Sequence, residues 1–411
     1  MTRSEQHRGS GLARLAGIAG LLILLATAIA AEAQTFQILH NFAGPDGTSP
    51  YAGLSMDRAG NFYGTASGGG NIGGACGTWG CGTVFKLKRS GSGWILSPIY
   101  TFTGPDGNSP QARVILGPDG NLYGTTNYGG TADAGTVFKL SPPPTTCKSA
   151  LCPWRETVLY SFQGGMDGEE PQYGDLLFDQ QGNIYGTTPY GGSPGSNCYQ
   201  TCGVVYELTP SNGGWSESVL YRFQGENDGA TPYAGLILDS AGDLYGTAVN
   251  GGADYDGVVY KLSPSESGWT ENVIYTFPYF GQPYGGLISD EAGNLYGVTA
   301  TTSLEETVVY ELTPNDGGWT FNQLYSFPAY VGSVAKLAMD PSGRLYGTIL
   351  IGGPEVFQLT LSNGQWTQTG FNGGAGDYAY GNVILDASGN IYSTANEGGT
   401  HDDGVVFEIT P

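Results

Sequence analysis

The sequence predicts an all-β protein, a single seven-bladed β-propeller with four strands in each blade. Three observations lead to this fold class. A two-strand phrase occurs seven times, a third strand-like segment follows every copy, and the two ends of the chain together supply the strands of one blade. The composition agrees, because 70 Gly among 411 residues with 12% aromatic residues fits a turn-rich β protein better than a disordered chain. The glycines have no three-residue period, which excludes collagen.

The recurring phrase has the pattern of a β-hairpin. Each copy contains an apolar run of four or five residues, then Asp-x-x-Gly-Asn, then Leu-Tyr-Gly-Thr, with small variations. Asp can accept hydrogen bonds from the following backbone amides, and Gly can take the positive φ of a tight turn. Because the runs are apolar without alternation, we expect these strands to be buried on both faces. The tyrosines of the seven copies, spaced by 60, 62, 60, 51, 50 and 46 residues, are Tyr63, Tyr123, Tyr185, Tyr245, Tyr296, Tyr346 and Tyr392.

A third strand follows each hairpin after a Gly-rich loop, and a fourth strand follows a tryptophan. The third strands are predicted at residues 82–87, 135–140, 203–208, 257–262, 307–312, 354–359 and 404–409. Six fourth strands are predicted at residues 94–102, 154–162, 215–223, 269–277, 319–327 and, in degenerate form, 366–371. Four strands repeated radially are typical of propeller blades.

The ends of the chain indicate how the ring closes. The seventh unit stops after its third strand at Pro411, whereas a fourth-strand sequence, Phe36 to Phe42, stands near the beginning. We therefore expect this first strand to complete the last blade, which removes the exposed edge of an open array. An open β-solenoid is the alternative, but it explains neither the unmatched strand nor the missing one.

The assembled pattern F-x-G-x-DG…P-x-x-GL…D-x-x-GN-LYGTT…GG…GTVFKL resembles the Gloeo-Verruco, or GloVer, tandem repeat of exported bacterial proteins. The resemblance extends over nearly the whole chain after residue 33. The D-x-x-GN-LY hairpin is also similar to that of NHL-type propellers. The resemblance implies export but carries over no activity and no catalytic residues. Since no sorting tail precedes Pro411, we do not expect the anchor that the family description includes.

Residues 1–33 have the pattern of a secretory signal peptide, and residues 34–411 form the predicted propeller domain. Three arginines precede an apolar run from Leu15 to Ala30, and Ala31-Glu32-Ala33 fits a cleavage site. The run is shorter than the roughly 20 residues of a spanning helix, so cleavage is favoured over a retained membrane anchor. The mature protein is then expected to be secreted or periplasmic, with no membrane span.

The six cysteines fall into three local pairs, which are Cys76 with Cys81, Cys147 with Cys152, and Cys198 with Cys202. In an exported chain, such pairs predict three small disulfide-closed loops. Half of a zinc site is the alternative interpretation, but no His or further Cys lies near any pair in the sequence.

Charge and motif content argue against several classes of function. The chain has 37 acidic and 15 basic residues and a formal net charge of −22, so we expect it to bind neither nucleic acid nor anionic lipid headgroups. No G-x-S-x-G elbow, H-E-x-x-H pair or phosphate loop is present. After residue 33 the histidines are His40 and His401, and His40 occupies a fourth-strand position where other blades have Tyr, which indicates packing.

An Asp-Gly pair recurs in the loops that lead from one blade to the next. By parity, these loops and the loops between strands two and three emerge on the same face of a propeller. A ring of carboxylates there could bind Ca²⁺, which prefers oxygen ligands. However, Asp-Gly is also a common turn dipeptide, and no EF-hand spacing is present, so turns are favoured. The Ca²⁺ candidates are Asp46, Asp106, Asp167 and Asp228.

Two columns of the repeat alignment differ between blades at this predicted mouth, as a binding site requires. The column that begins strand one includes Arg113, Asp175, Lys336 and Asn382. The column two residues earlier includes Tyr51, Tyr173, Tyr233, Tyr284 and Tyr380. Tyrosines with scattered polar partners suit polyhydroxylated ligands. The alternative is that these tyrosines pack between neighbouring blades.

From the sequence we therefore expect a monomeric, non-catalytic recognition module that needs no cofactor. A cell-envelope or extracellular polysaccharide is the first ligand class. The alternative activity is a carboxylate-dependent polysaccharide hydrolase or lyase, with Asp175 near Arg113 or Lys336 as the catalytic cluster and Ca²⁺ as an optional ion. A scaffold for an envelope protein is the third hypothesis.

Overall fold

The computed structural model describes residues 34–144, 153–195, 198, 201–278, 281–299, 307–327, 336–350, 356–371 and 378–411. The predicted signal peptide lies outside these ranges, and so do Cys147 and Cys152 of the second predicted cysteine pair. The regular structure of the described residues consists entirely of β-strands.

The strands follow one another in seven groups. Strand β1 (Thr35–Asn41) comes first. Blades 1 and 2 contain β2 (Ser55–Met56), β3 (Phe62–Ala66), β4 (Thr83–Ser90), β5 (Gly93–Thr101), β6 (Ile115–Leu116), β7 (Leu122–Thr126), β8 (Thr136–Ser141) and β9 (Arg155–Ser161). Blades 3 and 4 contain β10 (Leu177–Phe178), β11 (Ile184–Thr188), β12 (Val204–Ser211), β13 (Gly214–Arg222), β14 (Ile237–Leu238), β15 (Leu244–Ala248), β16 (Val258–Ser265) and β17 (Gly268–Thr276). Blades 5, 6 and 7 contain β18 (Ile288–Ser289), β19 (Leu295–Val298), β20 (Thr307–Asn315), β21 (Gly318–Phe327), β22 (Ala338–Met339), β23 (Leu345–Thr348), β24 (Val356–Ser362), β25 (Gln365–Phe371), β26 (Ile384–Leu385), β27 (Ile391–Ala395) and β28 (Val405–Thr410).

Each blade is a four-stranded antiparallel sheet, and the strands of the first six blades pair in chain order. The seventh sheet has the order β1-β28-β27-β26, with Thr35 opposite Thr410 and Asn41 opposite Val405. The N-terminal strand therefore completes the last blade, as predicted. A register shift between Ile38 and His40 matches the shifts between strands three and four of blades 1 to 5. The prediction of a seven-bladed β-propeller is confirmed.

The first strand of each blade differs from its prediction. Only two residues of each apolar run enter the ladder, for example Ser55–Met56 in β2. The second strands are buried throughout, as β3 shows, but most residues of the first strands are only half-buried. The reason is geometric, because the innermost strand of a blade faces the central channel and has no neighbour on that side.

Neighbouring blades are joined by apolar packing and by side-chain hydrogen bonds. A phenylalanine at the end of one blade's outer strand contacts an aromatic ring on the third strand of the next blade, as in Phe162 and Tyr206, whose centroids are 5.1 Å apart. The Thr187 hydroxyl of blade 3 donates to the Ala234 carbonyl of blade 4 at 2.9 Å. Equivalent hydroxyl-to-carbonyl bonds are Thr65 to Ala112, Thr247 to Gly285 and Thr394 to Ala52. The last of these reinforces ring closure.

The hairpin turn explains the repeated Asp-x-x-Gly-Asn. In blade 1, Asp57 Oδ1 accepts hydrogen bonds from the amides of Ala59 and Asn61, both at 2.9 Å. Its Oδ2 accepts from the Tyr63 hydroxyl at 3.1 Å, and Gly60 has a φ of 75°, which favours glycine. The repeated tyrosine therefore donates a hydrogen bond to the repeated aspartate. This bond fixes the turn that joins the first and second strands of the blade.

Candidate functional site

Two sets of loops form one face of the propeller. In blades 1 to 4, the loop before the blade pairs with the loop between strands two and three of that blade, through short bridges such as Thr48 with Gly68 and Asn108 with Tyr128. The same contact recurs between Glu169 and Tyr190 in blade 3. The parity expected from the sequence is therefore present, and we call this side of the molecule the mouth face.

Five of the predicted tyrosines form a continuous row across the mouth face. We call this the tyrosine row, and it consists of Tyr380, Tyr51, Tyr173, Tyr233 and Tyr284. Successive ring centroids are 5.2, 6.3, 6.1 and 5.8 Å apart. Blade 2 has Gln111 at this position of the repeat. The rings of Tyr51 in blade 1 and Tyr173 in blade 3 therefore contact each other directly. All five tyrosines are half-buried, so each ring packs on its neighbours and also keeps an accessible part.

Two hydroxyls of the tyrosine row, those of Tyr173 and Tyr233, are held in the protonated form. Burial, followed by neighbouring tyrosines, raises the pKa of Tyr173. Burial and a hydrogen bond with Tyr190 raise the pKa of Tyr233, and the two hydroxyls are 2.8 Å apart. A protonated phenol both donates and accepts hydrogen bonds. The row therefore combines flat apolar rings with neutral hydrogen-bonding groups.

The predicted polar residues form a layer directly beneath the tyrosine row. We call Arg113, Asp175, Lys336 and Asn382 the polar layer. Arg113 donates through Nη2 and Nε to Asp175 Oδ2, at 2.6 and 3.1 Å. The Lys336 amide donates to Asn382 Oδ1 at 2.6 Å. The second oxygen of Asp175, Oδ1, is buried without a hydrogen-bond partner among the described residues.

Some differences in the first-strand column have a steric cause. A Cβ at Gly235 would lie 2.6 Å from the carbonyl oxygen of Asp175 in the neighbouring blade. A Cβ at Gly53 would collide with the backbone of Asn382 in the same way. Each glycine thus faces a larger residue across a blade boundary. Packing around a narrow channel therefore accounts for part of the variation that the sequence suggested for binding.

Little space lies between the tyrosine row and the polar layer. Two pockets there each have a volume of about 20 Å³, which is room for a single water molecule. Their linings include Tyr173, Asp175 and Asn382. A large ligand therefore cannot reach the polar layer from the mouth face unless the tyrosines move.

The four Ca²⁺ candidates serve as loop anchors. Asp46 Oδ1 accepts from the Ala43 amide at 2.9 Å, and Asp106 Oδ1 accepts from the Thr103 amide at 2.8 Å. Asp167 and Asp228 accept from the amides of Gln163 and Gln224 at 2.9 and 2.8 Å. Within the described ranges, no three His, Cys, Asp or Glu side chains form a group that could hold a metal ion. These contacts agree with the turn interpretation.

The structure also exposes a residue that the sequence analysis missed. Trp79 lies on the mouth face between Cys76 and Cys81, which form a disulfide, and 83% of its surface is exposed. Ile72 in the same loop is 53% exposed. The available signal was a lone tryptophan inside a glycine-rich loop closed by two cysteines. Loops held by a rigid scaffold carry binding residues disproportionately often, which makes Trp79 a candidate.

The disulfide bonds give evidence on the cellular location of the protein. Two of the three predicted disulfides, Cys76–Cys81 and Cys198–Cys202, are present. The third, between Cys147 and Cys152, falls outside the described residues and stays a prediction. Disulfide bonds favour an extracytoplasmic location. Across the described part of the chain, no helix has the length and hydrophobicity to cross a membrane.

The sequence matches the model of the Gloeobacter/Verrucomicrobia repeat over residues 27–193 and 149–355. These two overlapping regions contain most of the predicted blades. The chain belongs to this repeat family. Each matched region spans several blades of the propeller. No curated protein matches the sequence.

Solved structures share the fold of this repeat protein at low sequence identity. The extracellular domain of a protein named as a one-component system from B. thetaiotaomicron has 12% identity and a TM-score of 0.54, covering 90% of this chain and 39% of that one. A chain of the mitotic checkpoint complex has 11% identity and a TM-score of 0.54, covering 92% and 91%. A fungal alcohol oxidase of the AA5 family, in complex with copper, has 14% identity and a TM-score of 0.53, covering 92% and 76%. These similarities concern the propeller fold.

Proposed function

We propose that this repeat protein is a secreted recognition module that binds a polysaccharide across its mouth face. The observation that carries this proposal is the tyrosine row, in which five half-buried rings succeed one another at 5.2 to 6.3 Å. Flat rings pack against the C–H faces of sugars, and their hydroxyls donate and accept hydrogen bonds. The predicted signal peptide and the disulfides support an extracytoplasmic site of action.

The shape of the mouth face favours an extended ligand over a small one. The pockets behind the tyrosine row have room for only one water molecule each. Small-molecule sites are usually concave cavities of roughly 300 Å³ or more. A chain of sugar units that lies along the rings needs no such cavity. Trp79, exposed in the loop between strands two and three of blade 1, offers a further ring on the mouth face.

The electrostatics of the mouth favour binding without turnover. Hydrolysis of a glycosidic bond usually needs two carboxyl groups placed on either side of it. The residues that line the two mouth pockets include one carboxylate, that of Asp175. Its Oδ2 forms an ion pair with Arg113 Nη2 at 2.6 Å. The hydrolase or lyase hypothesis therefore gains no support from these linings.

A glycan binding profile of the protein that begins at Gln34 tests the proposal. Trp79→Ala and Tyr51→Ala should each weaken binding to the same polysaccharide, because both remove an accessible ring. Ile95→Ala is the matched control, since Ile95 is 56% exposed but lies on outer strand β5 away from the loops of the mouth face. Thermal melts show whether each variant is folded.

Three results would count against polysaccharide recognition. One is the absence of binding to any polysaccharide in the panel. Another is binding that folded Trp79→Ala and Tyr51→Ala retain in full. The third is capture of an envelope protein through Trp79 without any glycan binding, which would favour the scaffold hypothesis. Release of reducing ends or of an unsaturated product during binding would favour the enzyme.

A further inference from the structure

A separate cavity of about 330 Å³ lies in the central channel, beneath the polar layer. Its upper end is lined by Arg113, Lys336 and Asn382. Its walls follow two first strands down to Met339 and Leu385, the last residues before hairpin turns. None of the tyrosines of the row lines it. The cavity therefore opens toward the face opposite the mouth, and its volume is at the lower end of the range for small-molecule sites.

The polar end of this cavity brings two basic side chains together with one carboxylate. Asp175 forms an ion pair with Arg113, with 2.6 Å between Oδ2 and Nη2. No carboxylate within the described ranges lies within ion-pair distance of the Lys336 ammonium. Burial lowers the pKa of Lys336, and the Arg113 charge acts in the same direction while Asp175 opposes it. A bound anion would compensate this ammonium.

The remaining walls are apolar. Leu337, Ala338 and Met339 line the cavity on one strand, and Val383, Ile384 and Leu385 line it on the next. These side chains also pack into the neighbouring blade cores, and the surface they leave toward the cavity would not be used by a purely inorganic anion. A ligand that joins a negative group to an apolar group would satisfy both ends of the cavity.

The acidic turns at the lower end of the channel have a limited effect on such a ligand. Asp340 and Asp386 each follow one of the lining strands by one residue. Lys336 precedes Asp340 by four residues, which corresponds to about 13 Å of extended strand. At this distance Asp340 is far outside ion-pair range of Lys336. Asp340 also accepts backbone hydrogen bonds from Ser342 and Arg344.

We propose that the channel binds a small monocarboxylate that carries an apolar group. Its carboxylate would contact Lys336, Arg113 and Asn382, and its apolar group would pack against Met339 and Leu385. This site is distinct from the tyrosine row, because none of the tyrosines of the row lines its cavity and the cavity opens to the opposite face.

Calorimetric titration at physiological salt tests this proposal with hexanoate and benzoate as ligands. The uncharged analogues hexanamide and benzamide are matched in shape, and we expect them to bind at least about tenfold more weakly, as the loss of a charge-assisted hydrogen bond predicts. Lys336→Met should weaken carboxylate binding by a similar factor. Lys88→Met is the control, because Lys88 is exposed near the end of β4 and should have no effect.

Several results would overturn the proposal. They are equal binding of acid and amide, undiminished binding to Lys336→Met, and no carboxylate binding tighter than about 10 mM. Sulfate binding as tight as that of hexanoate would also overturn it, because the apolar walls would then contribute nothing.

A measurement on the unmodified protein covers the case in which Lys336→Met does not fold. Reductive methylation of the lysines, followed by mass spectrometry, reports the accessibility of each amine. Hexanoate should slow the methylation of Lys336 but not that of Lys88, and hexanamide should slow neither. Equal rates for Lys336 with and without hexanoate would contradict the proposal.

Discussion

The imidazole Nε2 of His40 lies 2.8 Å from Asp46 Oδ2, at the junction where the ring closes. At the next three junctions, a tyrosine hydroxyl takes the place of the imidazole and donates to the equivalent aspartate. These pairs are Tyr100 with Asp106 at 2.5 Å, Tyr160 with Asp167 at 2.8 Å and Tyr221 with Asp228 at 3.0 Å. His40 also packs edge-on against Phe42, as Tyr100 does against Phe102. His40 therefore anchors an inter-blade loop, which agrees with its packing interpretation.

His40→Ala should lower the free energy of unfolding by about 1–2 kcal/mol, because it removes both the hydrogen bond and the ring contact. His40→Tyr should retain most of the stability, since the other junctions use that residue. Urea unfolding measures both effects. The exposed His401 provides the control, and His401→Ala should change stability by less than about 0.5 kcal/mol. Equal effects of the two alanine variants would contradict this role of His40.

The threonine bonds between blades allow a matched comparison. Thr187→Val removes the hydroxyl that bonds to the Ala234 carbonyl and should cost about 1–2 kcal/mol. Thr125 occupies the same position in blade 2, but its buried hydroxyl has no described partner. Thr125→Val should therefore leave stability unchanged or raise it. Chemical denaturation of the two variants decides this, and equal losses would show that the bond contributes nothing.

Stability should fall as the pH rises from about 5 to about 8. Burial, then the carboxylates of Asp106, Asp167 and Asp228 respectively, raise the pKa values of Glu156, Glu217 and Glu271 from 4.5 to about 7. The folded state therefore holds these protons more tightly than the unfolded state. This contribution is complete below the unfolded pKa and is lost as the pH passes through the folded pKa. The melting temperature against pH measures it, and the triple Glu→Gln variant should flatten the curve over this range.

Below about pH 4 the dependence should reverse. Burial opposes ionisation of Asp340, but hydrogen bonds from Ser342 and Arg344 outweigh it and hold its pKa at about 2. Hydrogen bonds from Asn61 and Tyr63 likewise lower the pKa of Asp57 despite burial. Such depressed values contribute stability above the unfolded pKa, and this is lost as the pH falls through the folded pKa. Asp340→Asn should reduce the acid dependence in the same melting series, and an unchanged slope would contradict the assignment.

Arg113→Met should destabilise the protein by about 2–4 kcal/mol, because it leaves the largely buried Asp175 carboxylate without its ion-pair partner. Arg113→Met/Asp175→Leu should recover most of this loss, since no unpaired charge then remains. Denaturant unfolding of the single and double variants measures the difference. A single variant as stable as the original protein would show that Lys336 takes over the pairing with Asp175.

The sequence was sufficient to predict the ring because each repeat combines strong local signals. Asp57, Gly60 and Tyr63 determine one hairpin turn through contacts within seven residues, and the same signal recurs in every blade. Side-chain contacts between blades were harder to predict from the sequence. Tyr51 meets Tyr173 past blade 2, because Gln111 interrupts the column between them, and no pattern within one repeat encodes that contact.

Two further features lay beyond the repeat pattern for different reasons. The short first strands could not be predicted from hydrophobicity, since the same apolar residue types line the channel and fill the cores of the blades. Trp79 occurs in a loop of blade 1 that is longer than the corresponding loops of blades 2 and 4. Those blades therefore have no residue that aligns with Trp79 when the repeats are compared. Its exposure is a tertiary property.

The pairing of β1 with β28 has a consequence for how the molecule is made. The two strands that finish the last blade are among the first and the last segments of the propeller to be synthesised. The ring therefore remains open until the final strand has left the ribosome or an export channel. A polypeptide released early would keep an unpaired strand edge, which proteases and aggregation can exploit. Circular closure thus acts as a check of completeness, since the last blade forms only when both β1 and β28 are present.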